Sequence, residues 1–288
     1  FIIGILEDSG YLARAAVICH KPLKLFGLSG KSFIPLLSGH ACAIPAIYAS
    51  RTVASPKRRL LTILAVPLMS CSARLPVYAL LISAFIPSTT ILGGLVGLQG
   101  LAFFALYFLG VVVALLITSA LAKTIYKTKN DSPFILEMPS YRWPHWRPLL
   151  KRSLVSCRQF ITKAGVVIFI VTIIVWIIGY FPNGSGHLDS SWLAALGHVI
   201  EPLMKPLGLD WKYGIAILSS FLAREVFVGT LGTLFGIEGA EENISSLVNH
   251  IQSSGLELGS GIALLVFYAI ALQCVSTLAV LRKEVGST

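Results

Sequence analysis

The chain of 288 residues has a net charge of +10, yet only 12% of its residues are charged and 55% are hydrophobic; soluble domains carry about 25% charged residues. This composition excludes an ordinary soluble enzyme and predicts an all-α, polytopic transmembrane domain. Without a recognised basic–aromatic binding motif, the surplus positive charge does not signal nucleic acid.

Residues 1–6 are apolar and run straight into Glu7, Asp8, Ser9 and Gly10, with Arg14 beyond. The segment lacks a basic n-region and a small-residue cleavage site, so it is not a signal peptide. It is expected to be cut from a longer membrane segment. Residues 27–32, Gly-Leu-Ser-Gly-Lys-Ser, end like a phosphate-binding loop, but Leu25 stands where that motif needs its first Gly. No nucleotide site is predicted there.

Residues 32–50 are uncharged and interrupted by Pro35 and Pro45, and residues 60–87 by Pro67, Pro76 and the lone Arg74. Interrupted helices free backbone groups, which a membrane tolerates only against protein or an aqueous cavity. Cys42 and Cys71 sit at these interruptions as polar islands in apolar surroundings. His40 could join Cys42 only if the backbone there is non-helical. The uncharged run 75–122 is long enough for a span of about 20 residues.

Residues 123–163 carry nine Lys or Arg and two acids, Asp131 and Glu137, whereas residues 238–257 carry four acids and no Lys or Arg. By the positive-inside rule the first stretch is cytoplasmic and the second external. Pro and Trp residues in 133–148 mark a surface connector along the lipid headgroups. It divides a first repeat (1–122) from a second (164–288).

In the second half, residues 165–181 read as a span, 192–209 as an interfacial or half-membrane element, and 213–237 as a re-entrant hairpin with Arg224 and Glu225 at its tip. Residues 258–281 then run inward past Cys274 to Arg282 and Lys283, where a further span is expected to follow. Gly93, Gly94, Gly97, Gly232 and Gly236 fit close helix packing. Charges within a membrane segment mark a transport path by default, and paired broken segments point to a midplane site. Five cysteines without CxxC spacing argue against a disulfide framework and a structural zinc site.

The segments 6–16, 27–36, 67–78, 223–231 and 274–279 together resemble the membrane region of the bacterial ferrous iron transporter FeoB family. The resemblance implies two gate-type repeats with broken or re-entrant helices, forming a multi-pass path for Fe2+ across the bacterial inner membrane. The cargo is transported, with no tightly bound cofactor and no catalysis in this chain. GTP hydrolysis would belong to an N-terminal domain absent from it. The family's Gly-Cys-Asn, Ser-Cys and Pro-Cys motifs map onto Cys42, Cys71 and Cys274, although Ala41, Ala43 and Gln273 depart from the usual neighbours.

With Glu7 and Glu225 these cysteines form the expected metal-contacting set; Asp8, Arg74 and Arg224 complete the path. Small accessory Feo proteins and further copies of the chain are the expected partners, besides the lipid bilayer. Two other readings are a carrier of an organic solute such as a nucleoside, with Arg74 and Arg224 binding an anion, and a non-transporting membrane scaffold.

Overall fold

A computed structural model describes residues 1–91, 96–124, 140–180, 192–221, 224, 226–236, 244–253, 256–271 and 274–286. The described residues are almost entirely helical. The helices are α1 (Ile2–Asp8), α2 (Tyr11–Ile18), α3 (His20–Leu25), α4 (Phe33–Ala41), α5 (Ala43–Ala49), α6 (Pro56–Ala65), α7 (Leu75–Phe85) and α8 (Leu98–Thr124). They continue with α9 (Trp146–Phe160), α10 (Val166–Tyr180), α11 (Trp192–Met204), α12 (Trp211–Ser220), α13 (Val226–Leu234), α14 (Ile244–Ser253), α15 (Leu258–Ile270) and α16 (Val275–Gly286). A two-residue ribbon, β1 (Thr90–Ile91) with β2 (Val96–Gly97), precedes α8.

Among the described residues, three segments are long and apolar enough to cross a bilayer: Pro56–Phe85, Leu98–Thr124 and Leu258–Gly286. On α8, Leu101, Phe104, Phe108 and Leu116 are exposed, and on α10 so are Phe169, Ile170, Ile173, Ile174 and Trp176. Such broad apolar surface is stable only against lipid or another protein. The protein is an all-α membrane protein.

The chain forms two compact units. The first comprises residues 1–72, 110–165 and 276–288, and the second residues 73–109 and 166–275. In the first, Leu28, Ile47, Leu61, Ile63 and Val66 pack a core with Ala114 and Ala122 of α8. Pro35, Pro45, Pro56 and Pro76 all lie in the first turn of a helix, where the missing N–H would have had no intrahelical partner. The prolines therefore start helices rather than kink them.

Glu284 of α16, 1% exposed, accepts from Arg59 Nη2 at 2.8 Å and from both Nε and Nη2 of Arg51. The carboxylate thus ties the last helix to the residues around the start of α6. A buried carboxylate in a membrane protein is tolerable only when paired in this way.

The second unit's core gathers Tyr78, Leu80 and Leu81 of α7, Tyr213 and Ala216 of α12, Phe227 and Leu231 of α13, and Tyr268 of α15. Of the glycines expected at close packing, Gly232 of α13 is buried. Gly97 and Gly236 face open space, and Gly236, with φ +69°, follows the end of α13; Gly93 and Gly94 lie outside the described residues. Elsewhere, a Cβ on Gly261 would sit 2.5 Å from the Phe85 ring, and one on Gly197 2.6 Å from Trp211.

Replacing Gly261 by Val should therefore overpack the α15–α7 contact and cost about 1–3 kcal/mol. The check is the midpoint of thermal unfolding in detergent. Glu284→Gln should lower the same midpoint, because Arg59 would keep its charge in a partly buried site without a counterion.

Candidate functional site

In the first unit α4 ends at Ala41 because Pro45, four residues on, has no N–H for the Ala41 carbonyl and its ring would collide with it. Cys42 turns to an extended conformation (φ −158°, ψ 136°) and α5 starts immediately after it. The carbonyl that Pro45 leaves open is taken by Ser72 Oγ at 2.8 Å. A second bond runs between the same segments, from His40 Nδ1 to the buried Ser70 carbonyl at 3.0 Å. With a carbonyl as acceptor, the imidazole proton sits on Nδ1.

Cys42 and Cys71 thus lie in two interruptions laced together just before Cys42 and on either side of Cys71, and both cysteines are half-buried. Gly110 of α8 backs the second interruption: a Cβ there would lie 2.5 Å from Ser70 Oγ.

The second unit holds another pair of interruptions. The chain breaks after Ser220 and resumes helix at Val226, and α12 packs on α13 with Ser219 Oγ 3.0 Å from Thr230 Oγ1. It breaks again between α15 and α16. Val275 N donates to the Phe221 carbonyl at 3.0 Å, and Tyr268 OH donates to Ser220 Oγ at 3.0 Å.

Arg74, fully buried, donates to the Ala269 and Ala271 carbonyls at 2.7 and 3.1 Å; Arg224, 5% exposed, reaches Ala271 O at 3.3 Å. The C-terminus of a helix carries about half a negative charge and orphan carbonyls. Two guanidiniums satisfy both at the end of α15. Cys274, half-buried, lies just beyond, while Glu225 and Gln273 are outside the described residues.

Glu7 and Asp8 close α1 against the connector. Asp8 accepts from Arg142 Nη2 and from the His145 amide, both at 2.7 Å, while Arg142 Nε donates to the Asp8 carbonyl. Glu7 lies 3.3 Å from Arg152. With Gly4 and Leu149 they line a cleft of about 460 Å³. The His145 amide, followed by the Arg142 guanidinium, holds the Asp8 carboxyl below its usual pKa. Arg14 lies 3.7 Å over the Tyr141 ring, which ties the connector to α2.

The geometry thus brings Cys42 and Cys71 into neighbouring interruptions, sets Glu7 and Asp8 against the connector, and groups Arg74, Arg224 and Cys274 around the α15–α16 break. Among the described residues no group of three or more His, Cys, Asp or Glu is arranged to hold a metal. In the segment resembling a phosphate loop, the Ser29 and Gly30 amides donate to Ser32 Oγ and His20 Nδ1. Ser70, Ser72, Ser220 and Tyr268 escape sequence reasoning. Only Ser72 leaves a signal there, since the carbonyl freed by Pro45 requires a donor.

The family model described as "Gate: Nucleoside recognition" matches residues 1–85 and 161–288, and that for the "Ferrous iron transport protein B C terminus" matches residues 103–155. The chain is 41% identical over 99% of its length to a protein named Fe(2+) transporter FeoB in Leptospira biflexa. It is 39% identical over 100% to one of that name in Staphylococcus aureus strain COL. The chain belongs to the FeoB family. It covers 43% and 41% of those two relatives, so it spans about two fifths of the length of the FeoB proteins it matches. A third FeoB relative, in Porphyromonas gingivalis, is 34% identical over 99% of the chain, which covers 38% of it; its name describes a fusion with Fe(2+) transport protein A. No solved structure matches the chain.

Two outcomes follow from this geometry. Ser72→Ala should raise the rate at which a maleimide labels Cys42 and Cys71, while Ser72→Thr, which keeps the hydroxyl, should leave it near wild type. For the clasp, a depressed folded pKa means that Asp8 stabilises docking above the ordinary carboxylate pKa and loses that effect as pH falls through the lowered value. Limited proteolysis of the connector should therefore stay constant from about pH 8 to about pH 5 and speed up at neutral pH in Asp8→Asn.

Proposed function

We propose that this chain is the permease part of a ferrous iron transporter of the bacterial inner membrane, and that a GTP-binding domain elsewhere in the same protein drives it. Family membership supports the cargo. The observation that carries the mechanism is the lacing of the Cys42 and Cys71 interruptions through His40–Ser70 and Ser72–Ala41.

Ferrous iron accepts sulfur, nitrogen and oxygen ligands and sits low in the Irving–Williams order, so a site of few ligands binds it weakly. Weak binding suits a path, because an ion held too tightly cannot leave. In this reading Cys42, Cys71 and Cys274 offer passing soft contacts, and the second lone pairs of the carbonyls at the breaks replace part of the hydration shell. Glu225 adds negative charge within the membrane segment, and Glu7 and Asp8 stand at the cytoplasmic mouth beside the connector. A small partner akin to Fe(2+) transport protein A, joined to the transporter in the Porphyromonas relative, acts with the parent protein, and copies of the protein assemble together.

Transport of an organic solute is the competing reading, favoured by the description of the Gate model. It needs Arg74 and Arg224 for an anion. Both guanidiniums donate to main-chain carbonyls at the end of α15, which commits them to the fold.

The test is uptake of ferrous iron into vesicles carrying the full-length protein, competed with other divalent metals, with and without GTP. Cys42→Ser and Cys71→Ser, at matched protein levels, should each lower uptake by about tenfold or more, the scale on which losing metal-site contacts acts. Unchanged uptake in both variants removes the thiols from the mechanism. Nucleoside uptake in place of iron uptake favours the competing reading.

A further inference from the structure

Helix α9 has two faces with different occupants. Its inner face is settled within the first unit. Leu149 is buried and would collide with a Cβ on Gly4, and Arg152 pairs with Glu7. Its outer face is another matter. Trp146, against which the Phe1 ring stacks, Leu150 and Leu154 are 53%, 51% and 69% exposed, Cys157 is exposed, and Ile161, just past the helix, is 60% exposed.

At 3.6 residues per turn, Trp146, Leu150, Leu154 and Cys157 fall within about 80° of arc, a continuous stripe along the helix. Arg147, Lys151 and Arg158, all exposed, fall in the next arc of about 40°. The helix contains no Asp or Glu.

A stripe of Trp and Leu bordered on one side by a row of cations is the pattern of a helix lying in the plane of a membrane interface. Its apolar side chains enter the acyl boundary and its basic ones remain at the phosphates. The chain supplies two further reasons to place lipid there. Residues 123–163 carry the basic surplus of a cytoplasmic stretch, and the cytoplasmic leaflet is the one with anionic headgroups. In sequence, α9 continues through a π-helical turn, Ile161–Gly165, into α10, whose exposed surface is Phe, Ile and Trp.

We infer that α9 is an interfacial helix that binds anionic phospholipid of the cytoplasmic leaflet, with Trp146, Leu150 and Leu154 inserted and Arg147, Lys151 and Arg158 on the lipid phosphates. Because its inner face clasps α1, bound lipid would also steady the Glu7–Arg152 and Asp8–Arg142 contacts.

The experiment uses the full-length protein in phosphatidylcholine nanodiscs with and without phosphatidylglycerol. Phosphatidylglycerol should raise the midpoint of thermal unfolding, and Arg147→Gln/Lys151→Gln/Arg158→Gln should remove at least half of that rise. A nitroxide on a variant retaining only Cys157 should collide more with oxygen than with a water-soluble nickel chelate. Preference for the chelate places the stripe in water, and protection from both places it under a protein partner; either overturns the inference. An equal response of wild type and triple variant to phosphatidylglycerol does so as well. The readouts involve no iron, so failure here is distinct from failure of the transport reading.

Discussion

The structure depends on one constraint: a backbone carbonyl or amide freed by a broken helix in a membrane must find a partner, because lipid offers none. An unmade bond at such a buried group costs about 1–3 kcal/mol, so each break must be answered elsewhere in the chain. The break at Cys42 is answered by Ser72, and that after Ser70 by His40. The end of α12 is answered by Val275, and the end of α15 by Arg74 and Arg224. In each unit one interruption is thus satisfied by a segment that is itself interrupted. The breaks cannot be understood singly, and loss of one partner should loosen both.

The two units solve this problem with different chemistry, and the difference follows from what each break leaves behind. Around Cys42 a single carbonyl is stranded by Pro45, and a hydroxyl is enough for it. At the end of α15 two carbonyls, of Ala269 and Ala271, lie within reach of one guanidinium and carry the aligned dipole of one helix terminus. A charged, multidentate donor fits that cluster, and two arginines supply it. Histidine and serine meet one carbonyl each at one site, whereas at the other the Arg74 guanidinium spans two carbonyls of a single helix end and Arg224 joins it on the second.

The sequence reveals these breaks to different degrees. Pro45 and Pro76 announce where α5 and α7 begin, because proline belongs in a helix's first turn. The break after Ser220 and the one between α15 and α16 contain no proline or glycine among their described residues. They exist because distant groups outcompete the helix: Phe221 meets Val275, and Arg74 reaches across some 195 positions to Ala269. Periodicity cannot show such contacts. The sequence shows Arg74 as a lone charge in an apolar run but not that it donates to the carbonyls at the end of α15. For Glu7 and Asp8 the sequence shows charge beside an apolar segment but not their counterions, since Arg142 and Arg152 lie more than a hundred residues away.

The commitment of the arginines bears on the cargo proposed here. Two unit cations near a divalent ion would each repel it by about 4 kcal/mol at a separation of about 8 Å and an effective dielectric of about 20. The roughly half-unit negative charge of one helix terminus offsets only part of one arginine. A path for Fe2+ therefore requires further negative charge near the α15 break or a course that keeps its distance from Arg74. Glu225 neighbours Arg224 in sequence and is the one acid between residues 213 and 237. At Cys42 the lacing groups are a hydroxyl, an imidazole and two carbonyls, none of them a guanidinium, whereas Cys71 stands three residues before Arg74, within about 11 Å of chain. On electrostatic grounds, Cys42, farther from Arg74 along the chain, is the easier soft contact at which the ion can shed water.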